Sequence, residues 1–112
     1  MKGPAKPAEK RQTPRIPVNF PATVTWGRKQ YRCQARELSE FGILLVSKHK
    51  GLAGDVGVEL GLNPSRTSIS LEGVVAYTTD TGFAVRFKDI SSEQRTVLKD
   101  YIQARGGNTA NR

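Results

Sequence analysis

Apolar residues recur with a period of two along most of this chain. Val18, Phe20, Ala22, Val24 and Trp26 alternate with Asn19, Pro21, Thr23 and Thr25, the pattern of a strand with one buried face. Pro21 has no N–H for a ladder, so this strand is predicted to lie at an edge or to bulge at that residue. Gly27 to Lys29 supplies a short turn. Gln30 to Glu37 then resumes the alternation, with Tyr31, Cys33 and Ala35 inward and Arg32, Gln34 and Arg36 outward, so the two segments form a hairpin. LSEFG breaks the pattern, and Ile43 to Ser47 is almost continuously apolar, which predicts a third strand buried on both faces. Val56, Val58, Leu60 and Leu62 mark a fourth strand. Ile69, Leu71, Gly73, Val75 and Tyr77 alternate on a fifth, and Phe83, Val85 and Phe87 on a sixth beyond a turn at Thr79 to Gly82.

Six short strands at regular spacing predict an all-β sandwich or barrel, closed so that few edges are exposed. The last element changes period. Ser91 and Gln94 have the spacing of a capping box, and Val97, Leu98, Tyr101 and Ile102 fall on one helical face, which predicts a helix over residues 91–105 laid across a mouth or face of the barrel. Gly106 and Gly107 suit its stop. The Pro- and Gly-containing start, MKGPAKPAEK, has no periodicity and reads as a flexible basic arm over residues 1–10. Residues 106–112 read as a disordered tail, and no internal repeat stands out.

A length of 112 residues with 37% apolar and 25% charged positions suits one globular domain. Neither a membrane-length apolar run nor a secretory leader is visible, so a cytoplasmic protein without membrane insertion is expected. The single Cys33 excludes an internal disulfide, and with His49 as its only soft companion no metal set can be assembled. Cys33 shares an apolar face and is expected to be buried; His49, between Lys48 and Lys50, is expected in solvent. The net charge of +8 is uneven. Residues 1–15 contribute +4, residues 16–36 another +4, and the remainder sums to zero. Such localised charge implies an anionic partner: a nucleotide, a nucleic acid or an anionic lipid.

Two segments carry candidate chemistry. Arg11 and Arg15, in RQTPR, can each grip phosphate oxygens with a planar fork and stack on a base. Glu37, Ser39 and Gly42, in ELSEFG, offer a carboxylate acceptor for a guanine edge, a hydroxyl, and a residue that permits close backbone approach or positive φ. Either segment alone is as well explained by a solvated pair of arginines or an ordinary turn. Ser39 has no nucleophile-elbow motif and no histidine base, so no enzyme is expected.

Taken in order, Arg11-x-x-x-Arg15, a hairpin, then Glu37-x-Ser39-x-x-Gly42 resembles the paired signature of PilZ domains. Residues 73–77 and 83–87 are similar to that family's fifth and sixth strands. The resemblance, over about residues 11–105, implies a six-stranded antiparallel barrel (about residues 16–90) with a C-terminal helix, and a bacterial receptor for cyclic di-GMP with no other cofactor. It implies that Arg11 and Arg15 hold phosphate and stack on guanine. It places Glu37, Ser39 and Gly42 on the other side of the ligand, with Lys10 adding charge and Tyr77 near a guanine. The expected downstream partner is a protein of motility, biofilm or polysaccharide machinery. Two positions depart from the family pattern: Glu37 stands where Asp or Asn is usual and is one methylene longer, and Ala84 stands where Gly is common. Glu37 keeps acceptor chemistry, so weakened binding is the expectation. Two other readings stay open, a PilZ-like adaptor that has lost the nucleotide and a basic barrel that binds nucleic acid through its arm, Arg32 and Arg36. The lack of regularly spaced exposed aromatics argues against the latter.

Overall fold

The computed structural model describes residues 15–62 and 67–107. Its elements are β1 (Ile16–Trp26), β2 (Lys29–Leu38), β3 (Gly42–Val46), β4 (Asp55–Leu62), β5 (Thr67–Thr78), β6 (Gly82–Lys88), α1 (Ser92–Ile102) and a π-helical turn (Gln103–Gly107). The strands close into an antiparallel barrel in the order β1-β2-β3-β6-β5-β4. Closure pairs every strand on both sides. The flexible arm expected at residues 1–10 lies outside the described residues.

The interior is filled by the alternating positions: Val24, Ala35, Leu38, Leu45, Leu60, Leu71, Phe83 and Val85 are almost wholly buried. Each large aliphatic or aromatic residue removed from water contributes about 1.5–3 kcal/mol. Two strand expectations are corrected. β1 is no edge, since it pairs with both β2 and β4. Pro21 is tolerated because the β4 ladder begins only at Ala22, and the register shift lies earlier, between Pro17 and Phe20. β3 is not buried on both faces: Ile43 and Leu45 are buried while Leu44 and Val46 are half-buried. Those two side chains face outward and floor surface depressions.

Helix α1 starts as its sequence predicts. The Ser91 hydroxyl accepts from Gln94 N at 3.0 Å and the Gln94 side chain accepts from Ser91 N at 2.9 Å. The same Gln94 amide donates to Ser70 O at 2.7 Å, tying the helix start to β5. Leu98 and Ile102 are buried, and Tyr101 meets Phe20 edge-on with centroids 5.9 Å apart. The α-helix ends three residues before the expected boundary, and Gly106 and Gly107 continue it as part of the π turn instead of stopping it or starting a tail. Positions 108–112 are outside the described residues.

Gly82 marks the tightest approach in the barrel. A Cβ there would stand 1.9 Å from Leu45 O, whereas one at Gly61 would meet nothing within 4 Å. Gly82→Ala is therefore expected to destabilise the protein by about 1–3 kcal/mol, the usual range for overpacking, with Gly61→Ala far milder; urea midpoints measure both. Burial raises the Cys33 thiol pKa, which disfavours the reactive thiolate. Cys33 should react with a thiol reagent at neutral pH only on denaturant unfolding, and fast labelling of the native protein would contradict its placement.

Candidate functional site

Two β-bulges create the site. On β2, Ala35 pairs with Leu45 and Glu37 with Leu44, leaving Arg36 as an extra residue. On β5, Val75 pairs with Val85 and Tyr77 with Ala84, leaving Ala76 extra. Strict alternation would carry Glu37 inward after Tyr31, Cys33 and Ala35, and Tyr77 inward after Leu71, Gly73 and Val75. An inserted residue reverses the faces from that point on. Leu38 takes the interior, Glu37 turns out, and Tyr77, expected on the same face as Val75, is 55% exposed. Since Leu44 pairs with Ala84, an unbroken row Glu37–Leu44–Ala84–Tyr77 crosses four strands on the outer face. Three strand spacings put its ends about 14 Å apart.

The row is the floor of a groove of about 220 Å³, lined also by Arg15, Ser39, Phe41, Gly42 and Arg86. Leu44 and Ala84 give it an apolar centre; Glu37, Tyr77 and the arginines stand around it. The structure thus brings together Arg15, Glu37, Ser39, Gly42 and Tyr77. Lys10 and Arg11 lie outside the described residues.

Ser39 has a clear local task. Phe41 N and Gly42 N donate to its hydroxyl at 3.1 and 3.2 Å, and Ser39 N donates to Gly42 O at 2.9 Å. Gly42 is required for closeness, not for positive φ: a Cβ there would lie 2.6 Å from Val85 O. Thr79 repeats the device. Its hydroxyl accepts from Thr81 N at 3.3 Å and Gly82 N at 2.9 Å, and Thr79 N donates to Gly82 O at 2.8 Å. Ser39-Glu-Phe-Gly42 and Thr79-Asp-Thr-Gly82 therefore close two matching hairpins, each preceded by a bulge. The register places Gly42 opposite Arg86 and Gly82 opposite Val46, with Leu44 and Ala84 at the centre, so the groove lies over an approximate two-fold axis. This is an internal repeat that the sequence did not reveal, because the hydroxyl, the acid and the glycine are all it retains.

Sequence reasoning missed Arg86 and Phe41. Arg86 is exposed on the same face as Ala84 and sits opposite Gly42. Its signal was the outward phase of Phe83-Ala84-Val85-Arg86-Phe87. Phe41, 47% exposed, lies under the Arg95 guanidinium at 5.9 Å, and Arg95 also approaches Glu40 at 3.9 Å. The first turns of α1 thereby contact the turn that holds Ser39.

The small closed barrel with one packed helix carries its described motif residues, Arg15, Glu37, Ser39 and Gly42, on an outer groove and not in its interior. The chain belongs to the PilZ domain family, whose model matches residues 9–104 and so spans both motifs. That family comprises cyclic di-GMP receptors and adaptors. Among solved structures, the Bacillus subtilis inhibitor of motility MotI/DgrA superposes with a TM-score of 0.74 at 16% identity, over 88% of this chain and 52% of that one. This chain thus spans about half the length of that protein, and the likeness is one of fold. No curated protein sequence matches the chain. Among the described residues no helix is long and apolar enough to cross a membrane.

The groove's exposed side chains contribute little to folding. Tyr77→Ala and Arg86→Ala should each shift stability by no more than about 0.5 kcal/mol in urea titrations. A loss of several kcal/mol in either would mean that the side chain packs into the barrel.

Proposed function

We propose that the groove binds cyclic di-GMP and that the chain acts as a receptor whose N-terminal arm, bearing Lys10 and Arg11, changes conformation on binding and is read by a partner protein. The observation that carries this reading is the row Glu37–Leu44–Ala84–Tyr77 with Arg15 and Arg86 beside it. It offers a purine an apolar seat between an acceptor and an aromatic ring, with cations for phosphate. Arg11 and Arg15 hold the phosphates and stack on guanine. Glu37 accepts from the guanine Watson–Crick edge. Ser39 and Gly42 shape the turn so that backbone and hydroxyl meet the ligand. Tyr77 packs on a base.

About four or five charge-assisted hydrogen bonds at about 1.5–3 kcal/mol each and one or two stacked bases at about 1–3 kcal/mol each sum, at mid-range, to more than the roughly 8 kcal/mol of micromolar affinity. Ordering arm residues at about 1–2 kcal/mol apiece offsets the surplus, and this coupling makes the arm a switch. Glu37 supports a second reading, an adaptor without nucleotide, because its added methylene moves the carboxylate relative to the shorter residue usual in the family. The family's motility, biofilm and polysaccharide machineries are the partner classes to test, motility first given the fold shared with an inhibitor of motility.

Calorimetric titration with cyclic di-GMP decides between these readings. Saturable binding at micromolar ligand is expected, abolished in Arg11→Ala/Arg15→Ala. Arg86→Ala and Tyr77→Ala should each weaken it about tenfold, roughly 1.4 kcal/mol, and Glu37→Asp should tighten it. Absence of heat at tens of micromolar protein supports the adaptor, and equal affinity in the double-arginine variant would displace the site.

A further inference from the structure

A second concavity adjoins the groove across β3. Leu44 floors the groove; Val46, two residues along and on the same outer face, floors a wider basin of about 940 Å³. The basin floor is another cross-strand row, Pro21–Gln34–Val46, running through β1, β2 and β3. Its rim carries Arg32, Lys48, His49 and Lys50, with Asp80 as the lone acid among the lining residues. The Lys50 ammonium donates to the Asp80 backbone carbonyl at 2.7 Å and so joins the loop after β3 to the second hairpin turn. Among the described residues no carboxylate forms an ion pair with Arg32, Lys48 or Lys50; the ion pairs there are Lys88–Asp55 and Arg95–Glu40. The rim therefore presents an excess of positive charge, three cations against one acid, around a half-apolar floor, outside both sequence motifs.

We propose that this basin docks an acidic peptide segment of a partner protein, with one apolar side chain of the segment seated over Val46 and Pro21 and its carboxylates on Arg32, Lys48 and Lys50. Charge complementarity selects the acidic class. An apolar centre inside a charged rim is the anatomy of a protein interface, and it offers a nucleic-acid backbone nothing to fill it. Among the described residues the exposed large apolar side chains, Phe41 and Tyr77, both line the neighbouring groove. The one ring lining the basin, His49, is engaged edge-on by Tyr31 at a centroid distance of 4.6 Å, which is a poor platform for a row of stacked bases. This docking surface does not depend on what the groove binds. The about 7 Å between successive outward residues of β3 places a docked segment beside any ligand in the groove.

The test is selection of a random twelve-residue peptide display library on the full chain, followed by fluorescence-anisotropy titration of the labelled consensus peptide. Selected peptides should be enriched in Asp and Glu flanking a single Leu, Val, Ile, Met or Phe. The consensus peptide should lose at least tenfold affinity in Lys48→Glu/Lys50→Glu and in Arg32→Glu, and weaken when salt rises from about 50 to 500 mM. Arg15→Ala should leave its affinity unchanged, which separates this surface from the groove. No enrichment, a neutral or basic consensus, or indifference to the charge reversals would overturn the proposal. Displacement of the peptide by a twelve-nucleotide single strand at lower concentration would overturn it in favour of nucleic acid. Lys48→Gln/Lys50→Gln, which removes the two charges without reversing them, should give an intermediate loss.

Discussion

The ladder between β3 and β6 is the constraint on which the groove depends, because it is closer than ordinary side chains permit. Gly42 faces Val85 O and Gly82 faces Leu45 O at distances where a Cβ could not stand. These two glycines open the two strands at opposite ends of the same ladder. Each is held there by a hydroxyl three residues earlier, Ser39 or Thr79, which accepts from the glycine's own N–H. With the ladder pinned at both ends, Leu44 and Ala84 are brought opposite each other, and the flanking bulges can add Glu37 and Tyr77 to the same row. A shift of one residue in that register would return the row to the interior.

This frame is nearly symmetric while its decoration is not. The two hairpins match in bulge, hydroxyl and glycine, yet one ends its row in a carboxylate and the other in a phenol ring. Beyond the row, Arg86 stands opposite Gly42, while at the matching position Val46 is apolar and belongs to the adjoining basin. Side chains on a common backbone device are thus divided between two adjoining outer-face concavities. The contacts of Arg95 with Phe41 and Glu40 join the start of α1 to the first turn, giving changes in the groove a physical route to the helix.

Barrel, strand count and helix were legible because period-two and helical spacing survive in the buried positions, and the cap of α1 because Ser91 and Gln94 interact locally. What periodicity could not show was where it breaks. A bulge residue such as Arg36 or Ala76 looks like any other polar or small residue, so Glu37 read as part of the turn and Tyr77 as a continuation of the Val75 face. Leu44 and Val46 were read as doubly buried because an apolar residue flooring an open groove is chemically identical to one in a core. Arg86 escaped notice because its place in the groove comes from pairing with Gly42, 44 positions away in the chain. Arg15, Glu37, Ser39 and Gly42 were grouped in the sequence only because their order along the chain resembles a family signature; all four line the groove, and the bulge after Ala35 is what turns Glu37 to that outer face.

Amide and side-chain chemical-shift mapping during titration with cyclic di-GMP tests the groove most directly, since it reads each strand of the row separately. Saturable perturbations should concentrate on Glu37, Ser39, Gly42, Leu44, Tyr77, Ala84 and Arg86, drawn from four strands yet forming one contiguous patch. Saturable shifts confined elsewhere on the barrel, or a spectrum unchanged at millimolar ligand, would contradict the assignment of the groove as the nucleotide site.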